Sequence, residues 1–231
     1  HLDLFVASYC ANVLYRNKGD GSFENVAPRL GLGEVNHAVG AAWGDFDNDG
    51  HLDLFVTAYT GKSGQQQPAN RLYRNLGGKG FANILQAGAM LDVADHGVQW
   101  IDYDRDGALD LSVTRGYTES GGHFLFHNNL VKAAARRSLT VRVLDSQGRF
   151  TRMGAEVRLY NSSSKILATR QVSTGEGYNS QGAQPVHFGL ASLAPVTVEV
   201  TFMGSRGRKT QTLNVARVAH HAGSELIVRE R

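Results

Sequence analysis

The sequence predicts an all-β protein in which a partial β-propeller of about three four-stranded blades precedes a small β-sandwich. Three observations predict this fold. The first half of the chain repeats itself at intervals of about 50 residues, and the second half alternates polar and apolar residues in short runs. Glycine is abundant and proline scarce, at 27 and 4 of 231 residues. Repeats of this length and short strands joined by glycine-rich turns are typical of β architectures.

A six-residue segment, HLDLFV, defines the repeat. It stands at residues 1–6 and again at 51–56, and it returns as ALDLSV at 108–113, which gives spacings of 50 and 57 residues. A second segment follows it in each unit, as NVLYRN, NRLYRN and FLFHN, ending at Asn17, Asn75 and Asn128. Recurrence of both segments in the same order indicates structural repeats of one kind.

The middle repeat is complete and predicts four strands, near residues 38–46, 52–59, 70–75 and 81–85. Four strands per repeat is the number in a propeller blade. The first unit lacks its opening strand, and the third lacks a clear fourth strand before residue 131. Because known propellers need at least about four blades to close, we expect further blades, and a signal peptide, upstream of His1.

Two of the repeats carry aspartates in the pattern D-x-D-x-D-G-x-x-D, which we name loop 1 (Asp45–Asp53) and loop 2 (Asp102–Asp110). Ca²⁺ takes six to eight oxygen ligands, so alternating carboxylates on a tight loop can converge on it. Glycine at position six permits a left-handed backbone, and position seven offers its carbonyl oxygen. The predicted calcium ligands are Asp45, Asp47, Asp49, His51 and Asp53 in loop 1, and Asp102, Asp104, Asp106, Ala108 and Asp110 in loop 2.

An EF-hand, an ion-free turn and a magnesium site suit these loops less well. An EF-hand needs a glutamate at position twelve, where this chain has Val56 and Val113. Aspartates also occur in ordinary turns, but four carboxylates within nine residues repel each other unless a cation lies between them. Mg²⁺ prefers fewer protein ligands and retains its waters. We therefore expect Ca²⁺ to fix two β-hairpins.

The second half differs in charge and pattern. Residues 1–131 carry a net charge of −6, whereas residues 132–231 carry +9, which supports two modules. We expect a linker with one helical turn at 132–137 and a sandwich at 138–231. Its strands are predicted at 138–143, 155–159, 168–172, 185–190, 196–200, 209–213 and 225–228. We expect the segment 174–181 to be a structured loop and His187 to be a packed or surface residue.

The Asp loops followed by LYRN resemble the FG-GAP/VCBS repeats of integrin-α-like propellers. The resemblance covers residues 1–131 and implies the last blades of a seven-bladed ring, with calcium between the first two strands of a blade. The segments GAEVR, TGEGYNSQ and HFGL resemble the ASPIC/UnbV domain, which follows such repeats in secreted proteins of the cartilage acidic protein family. One departure is FMGSRG at 202–207, where that domain usually has a Trp-Pro-x-Gly turn.

These observations predict a secreted, non-catalytic scaffold that binds Ca²⁺ and a protein or polysaccharide partner. The alternative is the accessory, carbohydrate-binding part of a secreted carbohydrate-active enzyme with its catalytic part upstream. We expect no membrane span, because no apolar run approaches about 18 residues. Arg206, Arg208 and Lys209 form a basic group, but without stacking aromatic residues or an RNA-binding motif we do not expect nucleic-acid binding.

Overall fold

The computed structural model describes residues 1–35, 37–59, 69–86, 95–115, 122–178, 180–204, 207–221 and 225–231. Over these residues the chain is all-β, as predicted, with five sheets, two short α-helices and one 3₁₀ turn. Within this part of the chain, no helix has the length and hydropathy that a membrane crossing requires. Arg206 of the basic group lies outside the described residues.

Each repeat unit forms an antiparallel sheet. The first contains β1 (Leu4–Val6), β2 (Val13–Asn17) and β3 (Phe23–Asn25), and a short helix α1 (Ala27–Leu30) follows it. The middle unit contains β4 (Ala38–Gly44), β5 (Asp53–Ala58), β6 (Arg71–Asn75) and β7 (Phe81–Asn83), and the third contains β8 (Val98–Ile101), β9 (Asp110–Arg115) and β10 (Gly122–Phe126). The four strands predicted for the middle unit are therefore confirmed. No fourth strand follows β10 in the described residues before 131.

The three sheets pack on one another through strand β5, which is buried along its whole length. Leu54 and Val56 point into an apolar cluster shared with the first unit. Phe55, on the opposite face, packs with Val98 and Val113 of the third unit. Full burial of such side chains stabilises a fold by about 1.5–3 kcal/mol each. This explains why the Leu-Phe-Val segment is apolar at every position instead of alternating.

The second half begins with α2 (Lys132–Ala135), the helical turn expected in the linker, and continues with two facing sheets. One sheet has the order β16–β11–β19 and the other the order β13–β12–β17–β18. All seven predicted strands are present: β11 (Ser138–Leu144), β12 (Glu156–Tyr160), β13 (Ile166–Gln171), β16 (Val186–Gly189), β17 (Val196–Gly204), β18 (Gly207–Val215) and β19 (Glu225–Arg229). Both sheets contribute to a single apolar core, and a 3₁₀ turn (Val218–His221) precedes β19.

The segment 174–181 departs from the prediction. Instead of a loop it forms a hairpin of β14 (Gly175–Gly177) and β15 (Ser180–Gln181), and this hairpin extends the middle repeat sheet in the order β15–β14–β4–β5–β6–β7. Gly177 pairs with Gly40 of β4. A Cβ atom on Gly40 would lie 2.5 Å from the His96 carbonyl oxygen. Glycine at this position therefore permits the His96 backbone to approach β4 closely. The two halves therefore share a sheet, and the edge of β4 is covered.

Candidate metal centres

Both Asp loops connect two adjacent antiparallel strands. Loop 1 joins β4 to β5, and loop 2 joins β8 to β9. Position six is left-handed in each, with φ of 95° at Gly50 and 94° at Gly107, and so is position four, with φ of 54° at Asn48 and 62° at Arg105. Two left-handed residues turn the chain sharply enough to bring position nine back beside position one. The loops are thus hairpin turns, as the sequence predicted.

Loop 1 brings three of its predicted ligands together. Carboxylate oxygens of Asp45, Asp47 and Asp53 lie within 4.8 Å of one another, and Asp45 and Asp53 are buried. The Asp45 carboxylate accepts hydrogen bonds from the backbone N–H groups of Asp49 (3.0 Å) and Gly50 (2.9 Å). These bonds hold the carboxylate in place from one side, so that its remaining lone pairs are available to a cation.

Loop 2 repeats the arrangement. Carboxylate oxygens of Asp102, Asp104 and Asp110 also lie within 4.8 Å of one another. The Gly107 N–H donates to Asp102 at 3.1 Å, as Gly50 does to Asp45. The Tyr103 N–H donates to Asp110 at 3.2 Å. Positions one, three and nine therefore converge in both loops.

The electrostatics of the loops disfavour charge in the absence of a cation. Burial, with a smaller contribution from neighbouring carboxylates, raises the pKa of Asp45 to about 6 and that of Asp53 to about 7, against the opposing effect of backbone hydrogen bonds. Burial likewise raises the pKa of Asp102 to about 6 and raises that of Asp110. A divalent cation among the carboxylates would favour their charged forms.

One oxygen in each loop lacks a protein partner. Oδ1 of Asp47 and Oδ1 of Asp102 are both buried without a hydrogen-bond donor. Buried polar atoms are otherwise almost always satisfied. A cation bound at each triad would satisfy these oxygens, and carboxylate oxygens are the ligands that hard divalent cations prefer. The residues of both loops therefore fit a metal ion.

The other predicted ligands hold the turns. Asp49 Oδ1 accepts a hydrogen bond from the His51 N–H at 2.8 Å, and Asp106 Oδ1 accepts one from the Ala108 N–H, also at 2.8 Å. These contacts place residues 51 and 108 immediately beside the carboxylates. The His51 side chain is exposed, so only its carbonyl stays a predicted ligand. Coordination by positions five and seven remains a prediction.

The asparagine that ends each LYRN segment has a role that was not predicted from the sequence. The Asn75 N–H donates to Asp53 at 2.8 Å, and its side-chain amide donates to the Leu52 carbonyl at 2.9 Å. Asn128 makes the same pair of bonds to Asp110 and Leu109. These asparagines position the ninth residue of each loop, and the available signal in the sequence was the asparagine that ends the second segment of every repeat.

The residue before that asparagine differs between the loops. Arg74 forms an ion pair with Asp47 at 2.7 Å. In the third unit His127 takes the place of the arginine, with Nδ1 3.2 Å from Asp110 and 3.7 Å from Asp104. Loop 1 therefore has a guanidinium cation beside the carboxylate at position three. Loop 2 instead has an imidazole near the carboxylates at positions three and nine.

Loop 1 also lies against loop 2 and against the second half of the chain. The buried Asn48 side-chain amide donates to the carbonyls of Gly107 (2.9 Å), Ala134 and Ala135 (both 3.3 Å). Its Oδ1 lies 2.9 Å from His187 Nε2, and because an amide oxygen only accepts, this histidine nitrogen donates. Burial lowers the pKa of His187 to about 3. His187 is thus a packed residue that contacts a residue of loop 1.

Two segments of the chain match known protein families. Residues 1–56, which include loop 1, match the family model of the FG-GAP-like repeat, and residues 146–223 match that of ASPIC and UnbV. Cartilage acidic protein 1 of Homo sapiens is 30% identical over 166 residues, covering 68% of this chain and 24% of that protein. The chain thus contains one stretch that matches the FG-GAP-like repeat and one that matches ASPIC and UnbV, and it is homologous to cartilage acidic protein 1. The predicted resemblance is confirmed.

Two further relatives of this chain carry the same name. Cartilage acidic protein 1 of Mus musculus is 30% identical over 176 residues, which cover 74% of the chain and 27% of the relative. The protein of Xenopus tropicalis is 25% identical over 254 residues, which cover 83% of this chain and 38% of the relative. The chain thus spans about a quarter to two fifths of the length of these relatives. The hairpin β14–β15 and the contact of His187 with loop 1 both fall in the ASPIC/UnbV match.

Proposed function

We propose that this protein is a secreted, non-catalytic scaffold that binds one structural Ca²⁺ in each Asp loop and recognises a protein or polysaccharide partner. The observation that carries the proposal is the repeated carboxylate triad with one unpartnered buried oxygen in each loop. Two sites built alike on equivalent hairpins indicate that the cage belongs to the repeat itself. Turns that need no ion would have no reason to bury their carboxylates.

Within each loop the residues have distinct tasks. Asp45, Asp47 and Asp53, and their loop 2 counterparts Asp102, Asp104 and Asp110, would hold the ion. Asp49 and Asp106 would complete the cage with the carbonyls of His51 and Ala108. Bound Ca²⁺ would supply the positive charge that lets these carboxylates remain ionised when buried. The asparagines after β6 and β10 orient the ninth residue.

The remaining parts of the proposal rest on architecture and relatives. Three sheets packed in a row through alternate faces of β5 support blades of a propeller. The relatives are named for cartilage, and this supports a secreted protein. Extracellular modules bind Ca²⁺ at about 0.1–1 mM, a concentration range in which both loops would be occupied outside cells.

Thermal unfolding tests the calcium sites. The chain should be melted in about 1 mM CaCl₂, in equal MgCl₂ and in chelator. Ligand at about ten times its Kd stabilises the folded state by about 1.4 kcal/mol per site, so we expect Ca²⁺ to raise the melting temperature by several degrees. Mg²⁺ should raise it less. The matched control is the double variant Asp47→Asn/Asp104→Asn, whose melting temperature should respond little to calcium. Identical melting of the natural chain in calcium and in chelator would refute the proposal.

A further inference from the structure

A cavity of about 890 Å³ lies between the repeat units and the second half of the chain. Its volume falls in the range of small-molecule sites, about 300–1,000 Å³. The proposed calcium scaffold gives this cavity no role. Its lining combines aromatic and charged side chains, among them Trp43, Trp100, Arg142, Arg170 and Glu225.

Arg170 of β13 is the unusual member of this lining. Its Nη1 donates to the Thr169 carbonyl at 3.0 Å, and its guanidinium carbon lies 5.4 Å from the centre of the Phe188 ring. Its Nε is buried without a hydrogen-bond partner. Among the described residues, no carboxylate lies within ion-pair distance of it. Burial lowers the pKa of Arg170 to about 10, and attraction to Asp45 offsets part of that shift.

The acidic groups of the cavity have other partners. Glu225 accepts hydrogen bonds from Arg142, one of them at 2.7 Å, and Asp3, which also lines the cavity, accepts one from the Asn17 N–H at 2.8 Å. Asp45 and Asp102 belong to the Asp loops, and with calcium bound their charges are compensated there; this step rests on the proposed function. The cavity would then be positive around Arg170. An unpaired buried cation is costly, so an anionic ligand would bind there favourably.

The uncharged part of such a ligand would contact two tryptophan side chains. Trp43 and Trp100 both line the cavity and are both half-buried. The Trp100 indole is fixed by a hydrogen bond from Nε1 to the Ala42 carbonyl at 3.1 Å and by stacking on Phe46. Rigid aromatic faces favour flat rings and the apolar faces of sugars.

We propose that this cavity binds a small organic carboxylate, with the Arg170 guanidinium on the carboxylate and the two tryptophans against a ring-shaped body. Arginine suits this role because its planar fork of donors matches a carboxylate. A uronic acid has both features.

Tryptophan fluorescence tests the proposal directly, because Trp43 and Trp100 are the two tryptophans of the chain and both lie at the cavity. Glucuronate should be titrated into the calcium-loaded protein near neutral pH, with glucose as the uncharged comparison. We expect a saturable change in emission with glucuronate and none with glucose. Loss of a charge-assisted hydrogen bond weakens binding by about tenfold or more, which is the effect expected for Arg170→Gln.

The matched control is Arg208→Gln, which removes the same charge from an exposed position on β18. It should leave the glucuronate titration unchanged. Equal responses to glucuronate and glucose in the natural chain would overturn the inference without any variant. So would equal affinity in a folded Arg170→Gln protein. Failure of glucuronate to bind, with calcium stabilisation intact, counts against the cavity site alone and leaves the calcium scaffold standing.

Discussion

Loop 1 and loop 2 share a backbone but differ in what surrounds them. Position four is left-handed in both, yet Asn48 is buried beneath the second half of the chain whereas Arg105 is exposed. Position three is 15% exposed in loop 1 and 35% exposed in loop 2. The repeat sequence therefore specifies the carboxylate cluster, and the residues packed around each loop determine what else that loop contacts. Loop 1 supports the contact between the two halves of the chain.

The largest difference between the loops should appear when position four is truncated. Asn48→Ala removes the side-chain donor to the Gly107 carbonyl and the acceptor of the buried His187 Nε2, whereas the carbonyls of Ala134 and Ala135 keep the Arg137 N–H and the Ser138 hydroxyl as donors. Unsatisfied buried polar groups are costly, so we expect the free energy of unfolding to fall by about 2–4 kcal/mol. The matched variant Arg105→Ala should change it by no more than about 0.5 kcal/mol. Urea unfolding measures both, and equal losses would contradict the asymmetry.

A second variant tests the packing of the second half of the chain on loop 1. A Cβ atom on Gly189 would lie 2.1 Å from Asp45 Oδ2 and 2.6 Å from the Asn48 Cα. Gly189→Ala should therefore cost about 1–3 kcal/mol through overpacking and weaken calcium binding at loop 1 only. Gly204→Ala is the control, because its Cβ would come no closer than 3.7 Å to another group. Undiminished calcium binding at loop 1 in Gly189→Ala would count against this contact.

The two loops should also contribute unequally to the pH dependence of the calcium-free protein. Asp45, Asp53 and Asp102 have folded pKa values of about 6, 7 and 6, above their ordinary value of 3.8. The folded state therefore binds more protons than the unfolded state, and stability in chelator should rise as pH falls from about 7 to about 5. His187, whose pKa is lowered to about 3, has the opposite effect. It lowers the stability of the folded state as the pH falls below about 6.5. The loop aspartates with raised pKa outweigh His187, which leaves a net gain in stability on the order of 1 kcal/mol for each unit by which the pH falls.

Thermal melts in chelator measure this slope. Asp53→Asn in loop 1 should reduce it more than Asp110→Asn in loop 2, because burial raises the pKa of Asp53 further. With saturating calcium the slope should reverse, since the ion binds the deprotonated carboxylates. A chelated protein that loses stability steadily from about pH 7 to about pH 5 would show that the loop carboxylates are not destabilised by burial.

The smallest effect is expected from Arg74, whose side chain pairs with the carboxylate at position three of loop 1. Arg74→Gln removes a half-exposed cation that pairs with Asp47, and exposed pairs of this kind contribute about 0–1 kcal/mol. We expect the calcium affinity of loop 1 to rise by a few-fold at low salt and by less at high salt. The control His127→Gln alters the equivalent position of loop 2. An affinity gain that is unchanged at high salt would argue against competition between Arg74 and the ion.

Much of this arrangement could be predicted from the sequence because it is local. The hairpins follow from the glycines at 50 and 107, and the convergence of positions one, three and nine follows from their spacing. The strands of both halves follow from alternation and from the apolar segment around Phe55. Such features depend on residues within about ten positions of each other.

The contacts between the halves could not be predicted, because they join residues far apart in sequence. Nothing in the segment 174–181 indicates that it pairs with β4, since its glycines fit a loop equally well. Asn48 was an ordinary turn residue in the sequence, and only the fold shows its amide bound to Ala134 and Ala135. The parallel pairing of β19 with β11 was likewise hidden, because alternation fixes the faces of a strand but not its neighbours.

Calcium stoichiometry is the most direct test of the central claim that each loop holds one ion. Equilibrium dialysis of the natural chain against about 0.1–5 mM calcium should give two bound ions per chain. Asp47→Asn and Asp104→Asn should each leave one, and the double variant none. Retention of two ions by the double variant, or no saturable binding by the natural chain, would contradict the account.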